Sequence, residues 1–353
     1  MTDLLTATVG LMAMPSVSGE EGEIADAVHK TLAACPWLEV ERVGDNVVAR
    51  TSLGRDQRLV LAGHLDTVPP GDNGSPRVEG DTVWGVGASD MKGGLAVMLD
   101  LATTVPAPAV DVTWCFYARE EISRNQSGLL ELWHQRPELL AGDAAILGEP
   151  TNAMVEAGCQ GTMRVRITLG GVRAHTARPF TGRNAIHRLG ALLLRVSDWP
   201  PREVVLDGCT YAEQLQAVAI EGGVASNVVP DEAVVTLNHR YAPDRGQVEA
   251  EAFLHELLDP VLELDGPDTW EMLDAGDGAP PSLDHPLLGA LVQRSGAPPK
   301  AKVGWTDVAS FWQHGVPAAN FGPGDPLVAH HPDERVTRQQ LERTRQVLTA
   351  LLS

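Results

Sequence analysis

Arg58 to Asp72 reads RLVLAGHLDTVPPGD. Its apolar run, Leu59, Val60, Leu61 and Ala62, lies just before a Pro-Pro-Gly turn and is too short for a buried helix. It predicts a buried strand of a parallel sheet. His64 and Asp66 follow where that strand stops. In open α/β sheets ligands bind beyond the carboxyl ends of strands, and residues i and i+2 of an extended segment face the same way. The two side chains therefore point together into a cleft. Neutral imidazole is the commonest metal ligand, and a nearby carboxylate fixes its tautomer. A solvent-exposed histidine at a strand end is the plain alternative, and His-x-Asp alone does not decide between them.

The pattern recurs further along. Asp111 to Ala118, DVTWCFYA, is another apolar strand, and it runs into Arg119, Glu120 and Glu121. Adjacent carboxylates at the end of a buried strand repel and are costly to desolvate unless a cation lies beside them. Ala144 to Leu147 is a third such strand, ending in Gly148, Glu149 and Pro150. Asp90, in WGVGASDMKGG, precedes a helix read over Met91 to Thr104, so it is either an N-cap or a further member of the same rim. With His330, the candidates are His64, Asp90, Glu120, Glu121, Glu149 and His330. Five suffice for two divalent ions with one carboxylate bridging, and the sixth is left as a base. Mixed imidazole and carboxylate ligation without cysteine suits Zn²⁺, with Co²⁺ or Mn²⁺ able to substitute. Such a centre clamps a water and polarises a carbonyl.

The 353 residues carry a formal charge of -20, which argues against nucleic acid and anionic membrane as partners, since both demand a basic face. The chain contains no stretch that reads as a membrane span. The apolar segment Leu4 to Val17 has Asp3 where a secretory signal needs basic residues, so a cytoplasmic protein is expected. Cys35, Cys115, Cys159 and Cys209 have no paired spacing and read as core thiols.

Leu4 to Met14 and Glu20 to Ala34 have helical apolar spacing, and between them Ser18 and Glu21 suit an N-cap and capping box. From Gly161 the character changes to strict alternation, GTMRVRITLGG, followed by a β-α-β-β-α-β order. The expected architecture is an α/β fold with a mixed, mostly parallel sheet, residues 1–160 and 277–353, and an inserted ferredoxin-like α+β domain, residues 161–276. The last helix is read from about Thr337 to Leu352.

AGHLDTVP, GVGASDMKGG, the REE pair, LGEPT, RAHTARPFTGRNAIH, GGVASNVVPDEAVVTLNHRYAPDR, GWTDVASF and NFGPGDPLVAHHPDERV together resemble the dinuclear zinc aminoacylase and carboxypeptidase family, the M20 type of peptidase clan MH. The likeness runs from about Pro15 to Val336. EAGCQGTMRVRITLGGVRAH, GWTDVA and NFGPG followed by AH resemble its actinobacterial succinyl-diaminopimelate desuccinylase branch most.

The resemblance implies His64, Asp90 and Glu149 on one zinc and Asp90, Glu121 and His330 on the other, with Asp90 bridging. It implies that Asp66 orients His64, that Glu120 is the general base, and that the Asp90 to Met91 peptide is cis. Where relatives carry one histidine this chain has His330 and His331; the flanking alanine and Pro-Asp-Glu favour His330. His175 matches a lid-domain histidine that serves the partner subunit's site, which implies a homodimer whose inserted domain is both lid and dimerisation surface. Asn227, Arg240 and Thr306 match substrate contacts, and Arg178 and Arg183 are further arginines for an anionic substrate. The implied activity is hydrolysis of a small N-acyl amino acid, N-succinyl-LL-2,6-diaminopimelate foremost, with acetylornithine, another N-acyl amino acid or a dipeptide as the alternative.

Overall fold

The computed structural model describes residues 3–353. Its backbone divides into two compact units: one runs up to Gly158 and resumes over Pro281–Lys300 and Asp307–Ser353, and the other comprises Cys159–Pro280 and Ala301–Thr306. Ala301–Thr306, expected with the first unit, groups with the second, so Thr306 and Asp307 belong to different units.

In the first unit the strand Arg58–His64 is buried from Leu59 onward and pairs in parallel with Asp111–Tyr117 on one side and Ala144–Leu147 on the other. Ala318–Asn320 adds a further parallel pairing to Ala144–Leu147. The hairpin Glu39–Val43 and Asn46–Arg50 extends the sheet antiparallel beyond Asp111–Tyr117. Among the described residues this sheet is parallel at its centre and antiparallel towards its edges. Continuous apolar runs suit these central strands because helices cover them. Leu59, Leu61, Trp114, Phe116 and Ile146 share one core with Ile24 and Val28 of the helix Gly22–Ala33, Leu95 and Leu101 of Gly93–Thr104, and Leu348 of Arg338–Leu351. Each fully buried side chain of this kind contributes roughly 1.5–3 kcal/mol.

The expected capping box at Ser18 and Glu21 does not form. Glu21 is itself the N-cap, in αR conformation and without a side-chain cap bond. The Ser18 hydroxyl goes to a distant partner described below, and the Glu21 carboxylate accepts the Gly19 N–H at 2.9 Å as well as a distant one.

In the second unit, four antiparallel strands follow the order Gln214–Gly222, Glu232–Tyr241, Gly161–Gly170, Thr269–Gly276. Met163, Val165, Ile167 and Leu169 face inward with Leu189 and Leu192 of the helix Ala185–Asp198 and Leu254 of Gln247–Leu258, while the intervening strand residues are exposed or half-buried. Period-two burial of this kind makes the sheet one-sided. Asn184 caps its helix, accepting the His187 N–H at 3.1 Å. The edge strand Gln214–Gly222 leaves Val218 and Ile220 57% and 55% exposed. No helix among the described residues is long and apolar enough to cross a membrane.

Candidate metal centre

Parallel register brings the strand ends level: His64 pairs with Tyr117, and Ala62 with Leu147. Glu120 and Glu121 therefore leave the sheet just past His64 on one side, and Glu149 on the other. Asp90 does not cap the following helix, which begins at Gly93 with Lys92 as its N-cap. It sits before the helix at φ -119° and ψ 93°, joined to Met91 by a cis peptide. The helix start packs so closely on the strand end that a Cβ at Gly94 would meet the Gly148 carbonyl oxygen at 2.3 Å. His330 adopts φ 62°, in the left-handed region.

These elements bring all six candidates together. The donor atoms of His64, Asp90 and Glu149 lie within 4.8 Å of one another, and so do those of Asp90, Glu121 and His330. Asp90 belongs to both sets and divides its oxygens between them, Oδ1 3.1 Å from His64 Nε2 and Oδ2 3.4 Å from His330 Nε2. Glu121 Oε1 is 2.8 Å from His330 Nε2. A third set within the same limit, His64 with Glu120 and Glu121, includes the expected base. His331 faces elsewhere: its Nδ1 accepts the Asp333 N–H at 3.1 Å, closing a turn.

Asp66 is fully buried, and its role is wider than orienting one imidazole. His64 Nδ1 lies 3.1 Å from the Asp66 carbonyl oxygen and 3.4 Å from its Oδ1. The same carboxylate accepts the N–H groups of Glu120 and Glu121, each at 3.0 Å, and the Ser18 hydroxyl at 2.6 Å. Burial alone raises a carboxylate's pKa; hydrogen bonds and charge from His64, with those from Ser18 and the Glu120 N–H, hold Asp66 down at about 2. Asp90 is likewise held well below the carboxylate range, against its burial, by His330 and His64. Burial pushes Glu120 well upward; His64 opposes this, and the charges of Glu149, Glu121 and Asp307 add to it. His330 rises to about 10 through its hydrogen bonds to Asp90 and Glu121.

The donor set fits two divalent cations. Asp90, Glu120, Glu121 and Glu149 converge with two imidazoles, and the nearby basic side chains are turned to other partners. Arg119 reaches Glu131 and the Gln126 carbonyl, both at 2.7 Å, while Lys92 donates to the Met14 carbonyl at 2.9 Å. Like charges gathered this closely call for positive charge among them. Nitrogen and oxygen donors without sulfur suit zinc, cobalt or manganese.

The other expected site residues lie in the inserted unit. His175 pairs with Val228, and its neighbour Thr176 donates its N–H to the Asn227 carbonyl at 3.1 Å. Arg178 donates its N–H to the His175 carbonyl at 2.7 Å, so His175, Arg178 and Asn227 form one exposed cluster. Arg240 is half-buried, with Nε 3.1 Å from Asn238 Oδ1, and Thr306 is buried. Arg183 instead forms a surface pair with Glu263 at 2.6 Å.

Several buried charged residues around the centre have no site role in the sequence reading. Glu21 is buried and accepts the N–H of Arg119, just before Glu120, at 3.0 Å. Glu334 accepts the N–H groups of Ser89 and Asp90, and burial lifts its carboxyl to about 7. Lys92 is brought down to about 8 by burial, against the charges of Asp66 and Glu334. Asp307 is buried, raised by desolvation, and accepts the Ser310 hydroxyl at 2.6 Å. The GWTDVASF motif was the one available signal for Asp307.

A profile of peptidase family M20/M25/M40 matches residues 60–353. A Mycobacterium tuberculosis protein, provisionally named succinyl-diaminopimelate desuccinylase DapE, is 48% identical over 336 residues, 95% of this chain and 93% of its own. The succinyl-diaminopimelate desuccinylase of Corynebacterium glutamicum is 42% identical over 359 residues, 99% of this chain and 96% of its own. A tripeptidase structure from Staphylococcus aureus matches with a TM-score of 0.81 at 19% identity, covering 99% of this chain and 97% of that one. The YXEP protein of Bacillus subtilis, described as a dinuclear metal binding peptidase, matches at 0.71 and 16% identity, with coverages of 99% and 97%. The two structures share the fold, and the two sequence relatives carry the likeness along nearly the whole chain. The chain belongs to peptidase family M20/M25/M40.

Proposed function

We propose that this chain hydrolyses N-succinyl-LL-2,6-diaminopimelate to succinate and LL-2,6-diaminopimelate. The observation that carries this reading is 48% and 42% identity, over 95% and 99% of the chain, to two actinobacterial proteins bearing the desuccinylase name. The convergence of six metal-suited side chains supports it.

Two divalent cations, zinc with cobalt or manganese able to substitute, would supply the charge that polarises the amide carbonyl and acidifies a water. His64, Asp90 and Glu149 are assigned to one, and Asp90, Glu121 and His330 to the other. Glu120 takes a proton from the attacking water as its oxygen bonds to the carbonyl carbon. It gives that proton to the amine nitrogen as the C–N bond breaks, so one water is consumed and an acid and an amine leave. A carboxyl whose proton affinity is raised by burial suits both halves of that task. Asp66 holds Glu120 and His64 in register through the bonds described above.

His175 is assigned to the developing oxyanion, a role worth about 3 kcal/mol for one such donor. Arg178, Asn227, Arg240 and Thr306 are assigned to the substrate's polar groups. The substrate carries three carboxylates, and on a chain of charge -20 they must be met by local arginines. We further propose a homodimer in which His175 serves the partner subunit's centre; the exposed Val218 and Ile220 on an edge strand support such an interface. Four buried free thiols are in keeping with a cytoplasmic setting.

Turnover of succinylated diaminopimelate and of acetylornithine, measured side by side, tests the assignment. An additional arginine-paired carboxylate is expected to favour the former by at least about tenfold in kcat/KM. The reverse preference assigns the chain to acetylornithine.

A further inference from the structure

Glu334 lies four residues beyond His330, and its carboxylate reaches the other loop of the same ligand set. The residue is 1% exposed, and its Oε1 accepts the N–H groups of Ser89 and Asp90, both at 3.0 Å. Its own carbonyl oxygen accepts the Gly85 N–H at 2.9 Å, and its N–H donates to the His331 carbonyl at 3.0 Å. One residue thus fastens the His330 segment to both ends of the segment that leads to Asp90.

The two ligand sets differ in what else holds them. His64 ends the central strand, and Glu149 follows a strand in register with it, so the sheet itself places both. His330 stands on a loop outside the sheet, with its side chain 49% exposed. The pairing of Arg335–Thr337 with Thr82–Trp84 and the bond from the Ser89 hydroxyl to the Asp325 carbonyl at 3.2 Å join the same two stretches, but the Glu334 carboxylate is the group of this loop that takes the Asp90 N–H. We propose that Glu334 is a positioning residue that presets the set Asp90, Glu121 and His330, so that losing its reach weakens the ion held there far more than the ion held by His64, Asp90 and Glu149. The proposal rests on the two-ion reading above.

A single carbonyl-type oxygen with two lone pairs can take both N–H groups. Glutamine offers such an oxygen at the same reach as glutamate; aspartate keeps the charge but is one methylene short. Zinc titrated against a chromophoric chelator, with elemental analysis of the full chain, separates the two. Wild type and Glu334→Gln are expected to hold two ions, while Glu334→Asp and Glu334→Ala keep one and bind the second about 10- to 100-fold more weakly, the usual cost of losing a partner outside the ligand sphere. Thermal melting, recorded alongside, reads any general loss of stability, which would not distinguish one ion from the other. If Glu334→Ala does not fold, Glu334→Asp against Glu334→Gln carries the comparison.

Wild-type protein holding fewer than two ions overturns the two-ion reading and the proposal with it. Wild-type protein holding two, with Glu334→Asp binding both as tightly or losing both alike, overturns the role of Glu334 alone. Glu334→Gln behaving like Glu334→Asp has the same consequence.

Discussion

Asp66 accepts the backbone N–H of Glu120 through Oδ1 at 3.0 Å. Its other oxygen takes the Glu121 N–H and the Ser18 hydroxyl, and His64 Nδ1 stands 3.4 Å from Oδ1. One buried carboxylate therefore sets the spacing between an imidazole on the central strand and two carboxylates that follow its neighbour.

Asp66→Asn places an NH₂ group where an oxygen now faces N–H donors, leaving buried donors opposed. Turnover or metal affinity is expected to fall by about 10- to 100-fold. Steady-state kinetics with zinc titration check this, and wild-type values for both would remove Asp66 from the positioning role.

Glu120→Gln is expected to retain both ions yet lower kcat at least about a hundredfold, since a general base contributes 10²–10⁴. Elemental analysis distinguishes the alternatives. Loss of an ion in this variant would make Glu120 a ligand, as the grouping of His64, Glu120 and Glu121 allows.

The metal candidates were legible because each of the sheet strands Arg58–His64, Asp111–Tyr117 and Ala144–Leu147 spends its apolar run and then presents a ligand type at its end. Asp90 was ambiguous because Asp before a helix is an ordinary cap; the structure removes it from that role by starting the helix at Gly93. The bracing residues were hidden for a physical reason. Glu334 and Glu21 act on backbone N–H groups of distant loops, 244 residues away for Glu334 and Asp90, and a backbone donor leaves no trace in side-chain pattern; Asp66 was legible as the partner of His64, but its bonds to the Glu120 and Glu121 N–H groups were not. Ser18 and Glu21 looked like a local capping box because the same donors and acceptors serve both purposes. Alternation, with the β-α-β-β-α-β order that follows it, marked the inserted unit, since its sheet buries one face.

A pH effect is expected in the inserted unit. His239 is fully buried among Trp199, Tyr241 and Phe253, and burial lowers its pKa from 6.5 despite the nearby Glu213 carboxylate. The unfolded chain therefore binds this proton more readily, so the stability contributed above 6.5 is lost as pH falls below that value. Thermal melting of wild type and His239→Gln across this range checks it: the wild type should lose stability more steeply on acidification. Parallel pH profiles would contradict the assignment.

Subunit exchange tests the shared site. Glu120→Gln protein mixed with His175→Ala protein gives heterodimers in which one centre has Glu120 and faces an intact His175. With random exchange and independent centres, activity should recover to about a quarter of wild type. Recovery absent despite exchange proven with distinct tags would place His175 within its own chain's site.

The most direct measurement is acid release from N-succinyl-LL-2,6-diaminopimelate by protein stripped with a chelator and then reloaded with zinc. The account predicts negligible release from stripped protein and return of activity on reloading, with succinate and diaminopimelate formed in equal amounts. Full turnover by the stripped protein, or no succinate released after zinc is restored, would contradict it.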